Sequence, residues 1–228
     1  MTNLSQVKVV TVSVDYEEEL RLSLQANRKV FQSDYLVVTA LDNTRTVEIC
    51  QEFGVSVLQT DAFYENRSVF NKWAGLEKGL DHIGRYGWIA ILDSDIVFPQ
   101  SADISLDSAF LYTPQRKILQ DFNAGVPPES EWGLLPGIGH YEGFPGYAQI
   151  FHADAAPKTT PWHRTDLGHA GCADTWFEEH WPRENHAHPN FEVVHLGTPF
   201  QNWVGKRLTE AQRKVLIKRA YKAQRIQL

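Results

Sequence analysis

The sequence predicts an α/β fold with a mostly parallel central sheet, flanking helices and a smaller mixed region after them. Three observations predict it. Apolar, β-branched runs alternate with helix-period segments over the first hundred residues. Residues 88–92 (WIAIL) show no polar alternation, the pattern of a strand buried on both faces. Two carboxylates, Asp93 and Asp95, follow at its carboxyl end, where open α/β sheets bind ligands.

Taken in order, residues 7–14 (VKVVTVSV) are apolar and β-branched and read as the first strand. Asp15, with Glu18 three positions on, has the form of a capping box opening a helix through Leu20 and Leu24 to about residue 30. A second strand, residues 34–39, leads into Ala40-Leu41-Asp42-Asn43. Thr44 then caps a helix carrying Val47, Cys50 and Phe53 on one face, stopped by Gly54. Residues 55–58 read as a third strand, and Phe70, Trp73, Leu80 and Ile83 mark a third helix. This alternation gives a parallel, Rossmann-like half with right-handed crossovers.

Beyond Pro99 the regularity fades. Nine of the eleven prolines lie between 101 and 198, and five of the seven tryptophans between 132 and 203. Loops, short mixed strands and one helix over 174–181 are expected there, then a last strand at 191–196 (FEVVHL). Thr209 and Gln212 open a terminal helix to about residue 226. No repeat, low-complexity tract or linker divides the chain, so one unit over 1–228 is the simplest organisation.

The composition sets limits. At 228 residues and 43% hydrophobic, the chain suits one large domain. No stretch approaches the roughly 20 apolar residues needed to span a bilayer. Residues 1–10 lack the basic start and apolar core of an export signal, and the two cysteines, Cys50 and Cys172, form no disulfide framework. A soluble, cytoplasmic protein is expected. Residues 206–228 hold eight Lys or Arg against one acid, while the rest of the chain is acidic enough to leave a net charge of -6. Arg207, Lys214, Lys218 and Arg225 share one face of the predicted tail helix. That face suits a polyanion, or is simply solvated.

Asp93-Ser94-Asp95 is a D-x-D triplet. Two acids emerging from a hydrophobic strand are costly to keep ionised unless a cation meets them, and a divalent metal is the expected partner; a capped turn is the plain alternative. The region resembles the nucleotide-sugar domain of GT-A fold glycosyltransferases of the family-2-like kind, whose D-x-D motif binds a divalent cation and the donor diphosphate. VTVSVDYEEEL is similar to the family's first strand and turn, which places Asp15 and Tyr16 near the base, although SVDY stands where the family usually has proline-threonine-tyrosine-asparagine. VVTALDN is similar to its second strand and makes Asp42 a base or ribose contact. FNKWAGLEKGL resembles the F-N-K-G stretch, with Trp73 in place of glycine. The resemblance puts Asn71 and Lys72 near the donor, Lys72 against diphosphate or ribose, and Ser94 with them.

The second half matches more loosely. GFPGYAQIFH resembles the glycine-aromatic segment that lines the donor sugar, and Tyr147, Gln149 and Phe151 alternate like a strand with one buried face. GCADTWF resembles the acidic motif that starts the acceptor-side helix. By that resemblance Asp174 is the catalytic base and Trp176 a donor or acceptor contact; the plain reading of such an Asp is a helix cap. HLG together with NWVGKR resembles the carboxyl-terminal element, which makes His195 a metal ligand and Asn202, Trp203 and Arg207 further contacts. A lone strand histidine is otherwise a core residue. His163, His169, Cys172, His180, His186 and His188 match no compact zinc pattern.

The resemblance implies a metal-dependent glycosyltransferase that moves a sugar from a nucleotide diphosphate, foremost a UDP-sugar, to an acceptor hydroxyl with inversion. Asp95, His195 and Asp93 then hold Mn²⁺ or Mg²⁺. Residues 1–100 form the nucleotide-sugar half, 101–205 the acceptor-side half and 206–228 the basic helix. The acceptor stays open among glycan, lipid-linked glycan, protein and modified nucleic acid. A nucleotidyltransferase is one alternative, although no glycine-rich basic loop follows the first strand to hold a triphosphate. A non-catalytic carbohydrate-binding protein is another; it would use the tryptophans without needing the carboxylates.

Overall fold

Strands β1 (Lys8–Val12), β2 (Tyr35–Ala40), β3 (Ser56–Thr60) and β4 (Trp88–Asp93) form the parallel part of the sheet in the order β3-β2-β1-β4. They belong to a computed structural model that describes residues 3–65, 68–137, 146–167, 169–171, 173–198 and 205–207. Helices α1 (Glu17–Val30), α2 (Thr44–Glu52) and α3 (Lys72–Ile83) supply the crossovers. Side chains on successive strand residues go to opposite faces. Val10, Val12, Leu36, Val38, Ile89 and Ile91 accordingly join Trp73, Leu76 and Leu80 of α3 in one core. Val9, Val37, Ala90 and Leu92 join Leu20 and Leu24 of α1 and Ile49 of α2 in the other. Both faces of β1, β2 and β4 are covered, which is why these three read as apolar runs, whereas the edge strand β3 stays partly exposed.

The polarity of the sheet reverses beyond β4. There β8 (Ala148–His152) pairs antiparallel with β4, followed by the short strands β6 (Leu111–Tyr112) and β9 (His186–Ala187). A second, three-stranded sheet has the order β5-β10-β7, built from β5 (Ile96–Val97), β7 (Gln115–Leu119) and β10 (Glu192–Leu196). The helix expected at 174–181 is α4, Ala173–Glu178. No helix among the described residues is long and apolar enough to cross a membrane. The terminal helix expected at 209–226, with Asn202 and Trp203, lies outside the described residues.

Three local expectations are corrected. Asp15 does not cap α1: its φ is +62°, whereas an N-cap is extended, and Tyr16 occupies the cap position without a side-chain bond. At α2 the cap is Asn43 rather than Thr44, its Oδ1 accepting the Thr46 N–H at 3.2 Å. Strand β8 is not half-exposed. Ala148, Gln149, Ile150 and Phe151 are all buried, because α3 and the α4 region cover one face and the β5–β10 side the other.

Helix α3 approaches the sheet closely through glycines. A Cβ on Gly79 would lie 2.6 Å from Val38 Cγ2 and 2.7 Å from Val10 Cγ1. Alanine is ordinarily favoured over glycine inside a helix by about 1 kcal/mol. Here the neighbours are stiff β-branched side chains on strands, and overpacking of about 1–3 kcal/mol opposes that gain. Gly79→Ala is therefore expected to lower the urea midpoint; an unchanged or raised midpoint would show that the helix can lift off the sheet freely.

Candidate functional site at the end of strand β4

Asp93 is the last residue of β4. Its N–H donates to the Tyr147 carbonyl at 2.8 Å, which ties the carboxylate turn to the start of β8. Lys72, the first residue of α3, forms an ion pair with Asp93 Oδ1 and also donates to the Gly146 carbonyl at 3.2 Å. Asn71 positions that lysine. Its Oδ1 caps α3 through the Ala74 N–H at 3.0 Å, while its Nδ2 donates to the Thr165 carbonyl at 2.6 Å. Burial pushes the Asp93 carboxyl above the ordinary aspartate range against the pull of the Lys72 ammonium.

Ser94 is buried, and its carbonyl accepts the Ser23 hydroxyl of α1 at 2.7 Å. Asp95 turns the other way. Its Oδ2 lies 3.2 Å from His195 Nε2, and its backbone carbonyl accepts the Leu196 N–H at 2.9 Å as β10 pairs with β5. The two side chains, one hundred positions apart, converge. Burial alone would raise the Asp95 carboxyl, but His195 beside it holds it below the ordinary range. Arg116 of β7 was not foreseen. Its Nη1 lies 3.0 Å from His195 Nδ1, and its guanidinium lies 4.4 Å from the centre of the Tyr147 ring, whose hydroxyl donates to the Pro114 carbonyl.

Arginine only donates, so His195 Nδ1 accepts and the imidazole proton sits on Nε2, toward Asp95. Among the described residues, no three His, Cys, Asp or Glu side chains gather to ring a cation by themselves. A hard divalent cation often takes only one or two protein ligands and completes its shell with phosphate and water. The donor set fits Mn²⁺ or Mg²⁺, on condition that Arg116 yields Nδ1 so that the imidazole proton can move there.

Asp174 approaches from the acceptor side. Its Oδ2 accepts the Gly146 N–H at 2.8 Å, so the backbone of one residue, Gly146, links Asp174 to Lys72 and, through Lys72, to Asp93. A Cβ on Gly146 would lie 2.6 Å from Asp174 Cβ and 2.8 Å from Trp73 Cη2, so only glycine fits here. Trp73 supports the arrangement, its indole N–H donating to the Ala170 carbonyl at 2.8 Å and its ring stacking on His163 at 4.8 Å. Glu77 accepts the His163 N–H at 3.0 Å and pairs with Arg85 at 2.8 Å, which fastens the segment before Asp174 to α3. Trp176 is exposed and lies edge-on to His180 at 4.8 Å. Gln149 is fully buried opposite Ile91.

A second cluster lies over the carboxyl ends of β1 and β2. Arg207 Nη1 and Nη2 donate to the two oxygens of Asp42 at 3.0 and 2.8 Å, and Nε donates to Asp15 Oδ2 at 2.8 Å. The guanidinium lies 5.1 Å from the centre of the Tyr64 ring. Lys206 reaches Glu19 Oε1 at 2.6 Å and covers the Tyr16 ring at 4.0 Å. A surface cavity of about 790 Å³ opens beside this cluster, bounded by Asp15, the first turn of α1, Arg45 and residues 122–125. It marks the flank of this second cluster, since its lining includes none of Asp93, Asp95, His195 or Asp174.

No family model matches the chain, and no curated protein sequence does. Among solved structures it is similar to glucosyl-3-phosphoglycerate synthase from Mycobacterium tuberculosis in complex with Mn²⁺, UDP and glucosyl-3-phosphoglycerate. The identity is 10%, over 94% of this chain and 76% of that one, with a TM-score of 0.50. The fold is GT-A-like. The glycosyltransferase GlyE of Streptococcus pneumoniae TIGR4 is similar at 10% identity, 96% and 64% coverage and a TM-score of 0.46. A cytidylyltransferase from Leptospira borgpetersenii gives 14%, 65% and 61%, and 0.39. The chain spans under two thirds of the length of these last two, and at such identities the likeness concerns the GT-A-like fold alone.

Proposed function

We propose that this chain is a metal-assisted glycosyltransferase that moves a sugar from a nucleoside diphosphate to an acceptor hydroxyl with inversion. The observation that supports this reading is the meeting of Lys72, Asp93, Asp95, His195 and Asp174 around the end of β4, although they come from four separate elements and a turn. In this reading residues 1–100 serve the nucleotide and 101–205 the acceptor.

In the reaction the bond between the anomeric carbon and the diphosphate oxygen breaks while the acceptor oxygen bonds to the same carbon from the opposite side. The electron pair leaves with the nucleoside diphosphate. The acceptor proton goes to Asp174, whose carboxylate is aimed by the Gly146 N–H. Lys72 places a positive charge where the departing diphosphate gathers negative charge, and Asp93 holds that ammonium in position. Asp95 and His195 would hold Mn²⁺ or Mg²⁺, which when bound supplies Lewis-acid stabilisation of the diphosphate. The exposed Trp176, two residues past Asp174, offers a flat apolar face to an acceptor sugar.

The test is a thermal-shift panel of UDP-, GDP-, ADP- and dTDP-sugars with and without Mn²⁺. One donor is expected to raise Tm in the presence of Mn²⁺, with the shift abolished by EDTA, as binding to the folded state alone requires. If no donor raises Tm with Mn²⁺ present, the reading fails.

A further inference from the structure

Resting on the proposed function above, we infer that Glu77 and His163 are positioning residues for the reaction: the imidazole, locked flat by Glu77, sets the spacing between Lys72 at the donor and Asp174 at the acceptor. The observation is a three-ring stack. His163 is fully buried between Trp73, the residue after Lys72, and Phe177, three residues past Asp174. Its ring lies 4.8 Å from the Trp73 ring at 14° and 4.3 Å from the Phe177 ring at 28°. One imidazole therefore separates the start of α3 from α4.

The neighbouring rings behave differently. Phe151 and Trp181 meet Phe177 edge-on, at 66° and 69°, and Phe151 meets Trp162 at 73°. Edge-on and offset arrangements are what unrestrained aromatic rings prefer. His163 lies flat because Glu77 holds it: Glu77 Oε1 lies 2.8 Å from Nδ1 and also accepts the His163 backbone N–H at 3.0 Å. The other oxygen, Oε2, accepts the Trp162 N–H at 3.1 Å and Arg85 Nη2 at 2.8 Å. Burial alone would raise the Glu77 carboxyl, but His163 and Arg85 hold it below the ordinary range, while burial takes the imidazole below the ordinary histidine range. The carboxylate only accepts, so Nδ1 carries the proton of a neutral ring.

Stability alone does not call for this arrangement. His163 Nε2 is buried with no hydrogen-bond partner among the described residues. A buried ionic cluster is often no more stable than apolar side chains of similar volume. What the pair supplies is a fixed plane in a core of tilted rings. Lys72 and Asp174, whose charges both reach the imidazole, are joined a second time through the Gly146 backbone. Reacting groups misplaced by about 1 Å can lose on the order of a hundredfold in rate.

The experiment uses the full chain with the nucleotide sugar selected by the thermal-shift panel and compares wild type, His163→Phe and His163→Asn. Phenylalanine keeps a flat ring without the tie to Glu77; asparagine keeps an N–H for Glu77 without the ring. Calorimetry with the corresponding nucleoside diphosphate and Mn²⁺ is expected to give the wild-type Kd in both. The kcat for release of that nucleoside diphosphate is expected to fall about tenfold. The pH profile of kcat should keep its shape in His163→Phe, since the imidazole moves no proton. If neither variant folds, Phe177→Leu thins the stack from its other face and is read in the same way. A kcat within about threefold of wild type in any folded variant overturns the inference. An equal loss in Kd and kcat also overturns it, as the mark of general loosening, and so does a pH limb that vanishes in His163→Phe, which makes the imidazole an acid or base. Wild-type protein that binds no donor in the panel overturns the function proposed above and this inference with it, whereas the other adverse outcomes leave that function standing.

Discussion

Asp174→Asn is expected to bind donor nucleotide with wild-type affinity and to lose transfer by about 10²–10⁴-fold, the span over which positioned general bases contribute. The substitution is almost isosteric, and the amide oxygen can still accept the Gly146 N–H that now reaches Asp174 Oδ2 at 2.8 Å. What disappears is a group able to take the acceptor proton. Single-turnover assays with saturating donor would separate the two effects. Full turnover in Asp174→Asn would place the base elsewhere and return Asp174 to anchoring the start of β8.

Lys72→Met is expected to cost on the order of 2 kcal/mol of stability and to weaken donor binding sharply. Its side chain is 11% exposed and that of Asp93 is 31% exposed. Losing one partner of a well-buried pair costs about 3–5 kcal/mol, and the remaining access of Asp93 to solvent reduces that figure. With the ammonium gone, Asp93 keeps its burial and its neighbour Asp95, and its carboxyl is pushed further toward the protonated form. The double variant Lys72→Met/Asp93→Asn should therefore regain much of the stability while remaining inactive. Equal urea midpoints for wild type and Lys72→Met would show that the pair contributes nothing to holding the two acids together.

The parallel half was legible because burial on both faces leaves a mark in β1, β2 and β4: Val9 and Val10, or Ala90 and Ile91, enter different cores yet are all apolar. The caps were less legible. Asp15 has the right side chain for a cap, but its left-handed backbone serves a pairing with Arg207, 192 positions along the chain, and no local pattern records that. Asn43 and Thr44 are both competent caps, and the geometry of the turn after β2 chose between them. Among the candidate site residues, Asp93 and Asp95 stand out by their place after an apolar strand, whereas Lys72, Asp174 and His195 stand out only through the resemblance of their motifs. Arg116 stands out in neither way. It meets His195 because β7 pairs in parallel with β10, a register that side-chain alternation does not encode. Gln149 misled for a related reason, since one polar residue in β8 imitates an exposed face while lying fully buried. Gly146 stood in a recognisable segment, but its need to be glycine comes from Asp174 and Trp73, which arrive from elsewhere.

The small sheet bears on the order in which the molecule assembles. Strand β10 is its middle strand, and β5 and β7 are joined only through it. His195 therefore reaches Asp95 only when a loop of one hundred positions has closed and a late strand has slotted between two earlier ones. Contacts so distant in sequence form slowly, because the entropy of closure is lost before any pairing compensates it. The parallel half closes over shorter spans, since β1 pairs with β2 about 26 positions on and with β4 about 81 positions on. A chain with only β1–β4 in place would thus hold Lys72 against Asp93 but lack the Asp95–His195 pair, so the β10 pairing should form later in refolding than native helix content.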